Sequence, residues 1–194
     1  MIADEDLCRE WQEGSAGALE ALVGRYHAPL LSHLFRLTGD VHLAQDLAQE
    51  TFVRLVREAA SYRYPRPFRP WLYAIARHLA SNHWQSAYQR RVAVGATPPD
   101  VAGDEPDPAA WWERWERRAG LHTALATLSF EQRETLSLRF DQELSVEETA
   151  AVLGVPPGTV KSRTFTALRL LRDLLADAAT NDQAPDQRGG TAHE

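Results

Sequence analysis

Apolar positions recur at threes and fours along much of this chain, the spacing of helices that each bury one face. A short helix around Leu7–Glu13 opens it, with Trp11 placed to pack on the domain after it. Leu19, Leu22, Val23, Tyr26, Leu30, Leu34 and Leu37 predict a second helix over about Ala16–Leu37, interrupted by Pro29 and stopped at Thr38-Gly39-Asp40. A third is expected from Val41 to about Ala60. Leu43, Ala44, Leu47, Ala48, Thr51, Leu55 and Val56 would face inward, and Asp46, Gln49, Glu50, Val53, Arg54 and Arg57 outward. Three prolines make Ser61–Pro70 a loop. A fourth helix, about Pro70–Arg91, would bury Trp71, Leu72, Ile75, Ala76, Leu79 and His83, leaving Tyr73, Arg77, His78, Ser81, Asn82 and Gln85 on other faces.

The periodicity then breaks. Val92–Pro108 holds four prolines, two glycines and four acids, too little apolar matter for a core. The following AAWWERWERR puts Trp111, Trp112 and Trp115 on one side of a short helix, where they need a domain or a partner to cover them. Leu121, Leu125 and Leu128 mark another helix. Ser129, with Gln132 three residues on, starts the next, carrying Leu136, Leu138 and Phe140. The expected organisation is all-α: two small helical domains, 1–91 and 119–176, joined by the flexible linker 92–118 and followed by a disordered tail, 177–194.

The most informative stretch is Glu143–Leu175. Ser145 and Glu148 form a capping-box pattern before Val146, Ala150 and Leu153. Gly154 can take the positive φ that ends a helix, and Pro156-Pro157 cannot extend it. A new helix then carries Val160, Thr164, Leu168, Leu171 and Leu175 as its core stripe. Small Ala150 permits a close crossing. This is the pattern of a helix-turn-helix, whose second helix enters a major groove. Thr159, Lys161, Ser162, Phe165, Thr166 and Arg169 lie off the stripe, available to phosphates and base edges.

Charge fits a binder of anions only once it is divided. The net charge is −6, yet residues 18–91 hold ten arginines against five acids, while both ends and the linker are acidic. The loop SYRYPRPFRP interleaves Tyr62, Arg63, Tyr64, Arg66, Phe68 and Arg69, a mixture suited to an unpaired strand whose phosphates meet Arg and whose bases stack on rings. One or two of those rings should instead pack into the core beneath. Cys8 is the only cysteine, so there is no internal disulfide or thiolate cage. His27, His33, His42, His78 and His83 fit no metal spacing and read as surface or packing residues. No Gly-rich phosphate loop or nucleophile–base constellation points to an enzyme. The acidic start lacks the basic and apolar regions of a signal peptide, which points to the cytoplasm.

Two blocks together, DLAQETFVRL with PRPFRPWLYAIARHLASNHW (Asp46–Leu55, Pro65–Trp84) and Leu125–Leu175, resemble regions two and four of the bacterial RNA polymerase sigma factors. The likeness is to the compact extracytoplasmic-function (ECF) group of the sigma-70 family. It implies a non-enzymatic, cofactor-free subunit that binds core RNA polymerase through the β′ clamp helices and the β flap. Asp46, Gln49, Glu50, Val53 and Arg54 become docking residues. Tyr62, Arg63, Tyr64, Arg66, Phe68, Arg69, Trp71, Tyr73, Arg77, His78 and Asn82 become candidates for capturing and opening the minus-ten element. Thr159, Lys161, Ser162, Arg163, Phe165, Thr166 and Arg169 become minus-thirty-five readers. The resemblance also implies an anti-sigma partner. His78 stands where Asn is frequent in the family and Thr166 where Arg is usual, so the promoter sequence need not follow the common one. The competing reading is a conventional helix-turn-helix regulator, which explains Glu143–Leu175 but not the Arg-aromatic loop.

Overall fold

The computed structural model of the protein describes residues 2–94, 125 and 127–182, with side chains of 85–94 and 175–182 left aside. Its described residues form α1 (Asp4–Gln12), α2 (Ala16–Thr38), α3 (Val41–Arg57), α4 (Phe68–Val94), α5 (Phe130–Leu136), α6 (Val146–Leu153) and α7 (Pro157–Asp182), and no strand. Residues 92–94 of the expected linker continue α4 and residues 177–182 of the expected disordered tail continue α7, while 95–118, with the Trp111–Trp112–Trp115 segment, and the tail beyond Asp182 lie outside the described residues.

In the first lobe, each helix has a local reason to start or stop. Ser15 Oγ accepts from the Ala18 N–H at 3.4 Å, and α2 runs on through Pro29 to Gly39, whose φ of 71° closes it. Asp40 accepts from the N–H groups of His42 and Leu43 at 2.9 and 3.1 Å and starts α3. Leu7, Cys8, Leu22, Tyr26, Leu55, Tyr62, Phe68, Leu72 and Ile75 pack into one apolar cluster that pins α1 onto α2 and α4, with Trp11 partly buried against it. Asp4 adds an ion pair to Arg25 at 2.6 Å and accepts from the Tyr26 hydroxyl.

The second lobe starts with a capping box at Ser129–Gln132 on α5, as the sequence indicates, and has another at Ser145–Glu148 on α6. Gly154 takes φ 63° at the end of α6, and α7 begins at Pro157. Between α5 and α6 the chain widens into a π-type turn over Ser137–Asp141, with the Gln142 N–H donating to the Ser137 carbonyl at 3.0 Å. Glu143 follows at φ 51°, a left-handed conformation uncommon for a residue with a Cβ.

The lobes share a core. Leu30, Leu34, Leu37, Ala44, Leu47, Tyr73, Ala76 and Ala80 of the first form one cluster with Leu138, Leu144, Ala150, Val152, Leu153 and Val160 of the second. That junction explains most departures from the periodicity. Tyr73, expected on an outer face, is fully buried, because α4 is covered on one side by α2 and α3 and on another by α6. Leu168, expected in the core stripe, is 44% exposed; the buried positions run Val160, Ala167, Leu171, and small Ala167 brings α7 close to Leu128 and Leu136. Val56, also expected inside, is 48% exposed, since Leu55 continues the inward series Ala44, Ala48, Thr51 and the next residue lies about 100° around the helix. Phe140 is 54% exposed because it sits in the widened turn rather than an α-helical one. Finally, α4 starts at Phe68 instead of Pro70. Pro70 falls within the first turn, where its missing N–H has no helical acceptor to lose.

Candidate docking and nucleic-acid surfaces

Helix α3 buries Ala44, Leu47, Ala48, Thr51 and Leu55, so its remaining face is left to solvent. Asp46, Gln49, Glu50 and Val53 share that face at helical spacing, all exposed. Arg54 is held beside it by Glu58 at 2.9 Å. Val56 adjoins Val53, giving the strip two exposed apolar side chains among charged ones. The sequence reading missed Val56, because an apolar residue one step from Leu55 fits either face.

The Arg-aromatic loop divides cleanly. Tyr62 and Phe68, offered as base-stacking rings, are 4% and 0% exposed, and Trp71 packs on both at ring separations of 5.1 and 5.9 Å. Neither buried ring has a free face for a base: these are the rings that pack into the core, as expected of one or two in the loop, which removes Tyr62 and Phe68 from the base-stacking candidates. The Tyr62 hydroxyl donates to the Arg66 carbonyl and braces the loop. Tyr64 is the ring left outside, 47% exposed, with the Arg9 guanidinium 4.7 Å from its centre. Arg63 and Arg66 are exposed beside it. Further along α4, His78 and Asn82 are exposed and 3.1 Å apart, the amide donating to the imidazole nitrogen.

Three other residues of the minus-ten set are occupied within the chain. Arg69 donates to the Gln142 carbonyl, the Tyr73 hydroxyl donates to Gln142 Oε1, and Arg77 Nε lies 3.3 Å from Glu134. Gln142 also donates to the Pro29 carbonyl at 3.3 Å. His33 Nδ1 lies 2.9 Å from Ser137 Oγ, and its ring meets Tyr73 edge-on at 5.2 Å. At the rim Arg36 pairs with Asp141 at 3.0 Å. Burial, with Arg36 nearby, lowers the His33 pKa from 6.5 to about 3, so the imidazole is neutral. Burial raises Glu134 from 4.5 to about 7 in spite of Arg77. Gln142, Glu134, Ser137 and His33 carry no motif, and the sequence reading did not single out any of them for this junction.

On α7 the candidate recognition positions lie along an open face. Lys161, Ser162, Phe165 and Arg169 are exposed, and Thr159, Arg163 and Thr166 are half-buried. Phe165, at 69%, is among the most exposed large apolar side chains. Val160 is fully buried, fixing the helix's rotation so that this face points outward. Among the described residues no group of His, Cys, Asp and Glu is arranged to hold a metal ion, and no helix is long and apolar enough to cross a membrane.

Comparison with known proteins agrees with this geometry. Residues 22–91 match the model of Sigma-70 region 2, and residues 124–173 that of Sigma-70, region 4. RNA polymerase sigma-H factor of Pseudomonas aeruginosa is 33% identical over 187 residues, covering 90% of this chain and 97% of that protein. ECF RNA polymerase sigma factor SigL of Mycobacterium tuberculosis is 33% identical, covering 84% of this chain and 91% of that one. ECF sigma factor BldN of Streptomyces coelicolor is 33% identical, and the alignment takes in 66% of its length. The fold also matches CnrH in its complex with the cytosolic domain of CnrY, at a TM-score of 0.70 and 24% identity over 91% of this chain and 99% of that one. A similar match is the sigma factor RpoE bound to the anti-sigma factor NepR from Bartonella quintana, at 0.65 and 24% over 81% and 96%. With both regions present in order, the chain belongs to the ECF group of the sigma-70 family of RNA polymerase sigma factors.

Proposed function

We propose that this sigma factor joins core RNA polymerase through the exposed face of α3, grips the minus-ten element with the Tyr64 loop and α4, and reads the minus-thirty-five element with α7. Family membership carries the general activity, promoter-directed initiation. The observation that supports the residue assignments is the separation of surfaces. Asp46, Gln49, Glu50 and Val53 share one face of α3, while Lys161, Ser162, Phe165 and Arg169 share the open face of a helix-turn-helix. A lone regulator has no use for the former.

Each lobe supplies a modest DNA contact, and the two add when a scaffold holds both at the right span. On this reading the polymerase is that scaffold, its β′ clamp helices meeting α3 and its β flap meeting the second lobe. Taking a base out of the stack costs about a few kcal/mol, so a receiving surface with a ring and cations is needed. Tyr64, Arg63, Arg66 and the His78–Asn82 pair furnish one. The protein acts without catalytic chemistry of its own, in the cytoplasm, and an anti-sigma factor is an expected partner, as NepR is in complex with RpoE.

The test is binding of promoter fragments with and without core enzyme. Specific binding that needs the core, and loss of core binding in Asp46→Ala/Glu50→Ala with α-helical content unchanged, is the expected result. Tight sequence-specific binding by the free chain overturns the scaffold role.

A further inference from the structure

Helix α1 touches the Arg-aromatic loop at both ends and at its exposed ring. Gln12 Nε2 donates to the Ala59 carbonyl at 2.7 Å and to the Tyr62 carbonyl at 3.3 Å, where the chain enters the loop. Glu5 Oε1 accepts from the Phe68 N–H at 3.0 Å, where the loop gives way to α4. Between them the Arg9 guanidinium lies over the Tyr64 ring, steadied by Asp6 at 3.3 Å. Glu5, Arg9 and Gln12 are spaced by four and three residues, which places them on one stripe of the helix. Leu7, Cys8 and Trp11 form the adjoining apolar stripe and seat α1 against the cluster that contains Tyr62 and Phe68. The apolar stripe therefore sets where α1 lies, and the polar stripe meets the loop. The Sigma-70 region 2 match starts at residue 22, after this helix.

We infer that Glu5, Arg9 and Gln12 are positioning residues for base capture: they hold the loop Ser61–Pro67 and the Tyr64 ring in the receiving arrangement before DNA arrives. The inference deepens the minus-ten reading proposed above and rests on it. The loop needs such a hold. Arg63 to Pro67 are exposed, and Pro65 and Pro67 have no N–H to give. Its internal ties include the Arg66 N–H to the Arg63 carbonyl at 2.9 Å and the Tyr62 hydroxyl to the Arg66 carbonyl. Without α1, the loop would have to be ordered at the moment a base leaves the stack, and that entropy would add to the barrier of opening. Arg9 takes one face of the Tyr64 ring, which leaves the other for a flipped base. The three side chains act through the loop rather than on the bases.

The experiment uses the full chain as parent, Gln12→Ala, Gln12→Lys and Arg9→Gln. Gln12→Ala removes both loop bonds, and Gln12→Lys restores a donor. Hydrogen exchange of the free chains, read by mass spectrometry, should rise about fivefold across residues 61–68 in Gln12→Ala and stay unchanged in α3. Gln12→Lys should exchange as the parent does. Each chain is then joined to core polymerase and given duplex promoters taken from start sites that the parent directs, with 2-aminopurine in the minus-ten element. At saturating holoenzyme the opening rate should fall about fivefold in Gln12→Ala and recover in Gln12→Lys, while core affinity and closed-complex affinity stay at the parent's values. A general weakening of the lobe would lower core affinity as well. Arg9→Gln should slow opening without changing the slope of log affinity against log salt. Loop exchange that does not respond to Gln12→Ala overturns the inference. So does a loosened loop that opens promoters at the parent rate, or a salt slope lowered by about 1 in Arg9→Gln, which would make Arg9 a phosphate contact. In each of these the parent still opens promoters, and the minus-ten reading stands. A parent that opens none sinks that reading and this inference together.

Discussion

Replacing Glu134 by Gln should stabilise the protein above neutral pH and change little in acid. The carboxylate side chain is 1% exposed. Its nearest cation is Arg77, 3.3 Å away and itself only partly buried. Oε1 has no hydrogen-bond donor. Arg163 assists and Glu131 opposes, and burial outweighs them together, raising the pKa from 4.5 to about 7. The folded state therefore prefers the protonated acid. Its contribution is fully present below pH 4.5 and is lost as pH rises through about 7. A carboxyl moved that far corresponds to about 3 kcal/mol, an upper figure because water entry and side-chain relaxation reduce it. A Gln amide is the neutral isostere. It resembles the protonated acid at low pH and has no charge to desolvate at high pH. Urea unfolding of parent and Glu134→Gln at intervals from pH 4.5 to 8 checks this. The stability difference should be near zero at the acid end and grow in favour of the Gln variant to about 2–3 kcal/mol by pH 8. Every other titrating group is common to both chains and cancels in the difference. Parallel profiles across that range would refute the burial argument.

The remaining expectations concern single residues. His33 has the opposite sign to Glu134: its depressed pKa means stability is present above pH 6.5 and lost as pH falls toward about 3, so His33→Asn should weaken the acid destabilisation seen in pH-dependent melting. Tyr64→Ala should slow open-complex formation, read by permanganate reactivity of unpaired thymines, while leaving core binding intact; Phe68→Ala should instead lower the melting temperature, as a buried Phe truncated to Ala costs about 3–5 kcal/mol. Lys161→Ala should lower promoter affinity and reduce the slope of log affinity against log salt by about 1, measured on the polymerase complex.

The helices were legible wherever a local signal fixes the backbone. Ser129, Ser145, Gly39 and Gly154 mark boundaries that the structure keeps, because capping and left-handed closure depend on residues within one turn. The exposed strip of α3, proposed as the docking face, was legible as an outer face for the same reason: one amphipathic helix determines both of its faces. What stayed hidden depends on distant pairing. Periodicity assigns Tyr73 to an outer face of α4, and only the arrival of α6 buries it. A His, a Gln and a Glu without spacing partners gave no sign that His33, Gln142 and Glu134 would meet the opposite lobe, since their partners lie 104, 69 and 57 residues away. The composition of SYRYPRPFRP indicated that one or two of its rings turn inward but could not say which. That choice comes from the cluster of Tyr26, Leu72 and Trp71 waiting beneath Tyr62 and Phe68.

The decisive measurement is transcription from genomic DNA with purified core polymerase and this protein as the sole added subunit, with start sites mapped by sequencing the transcripts. The chain should co-elute with the core, and initiation should fall on a limited set of sites sharing two sequence boxes at a fixed spacing. A chain that neither joins the polymerase nor changes where it starts would contradict the assignment.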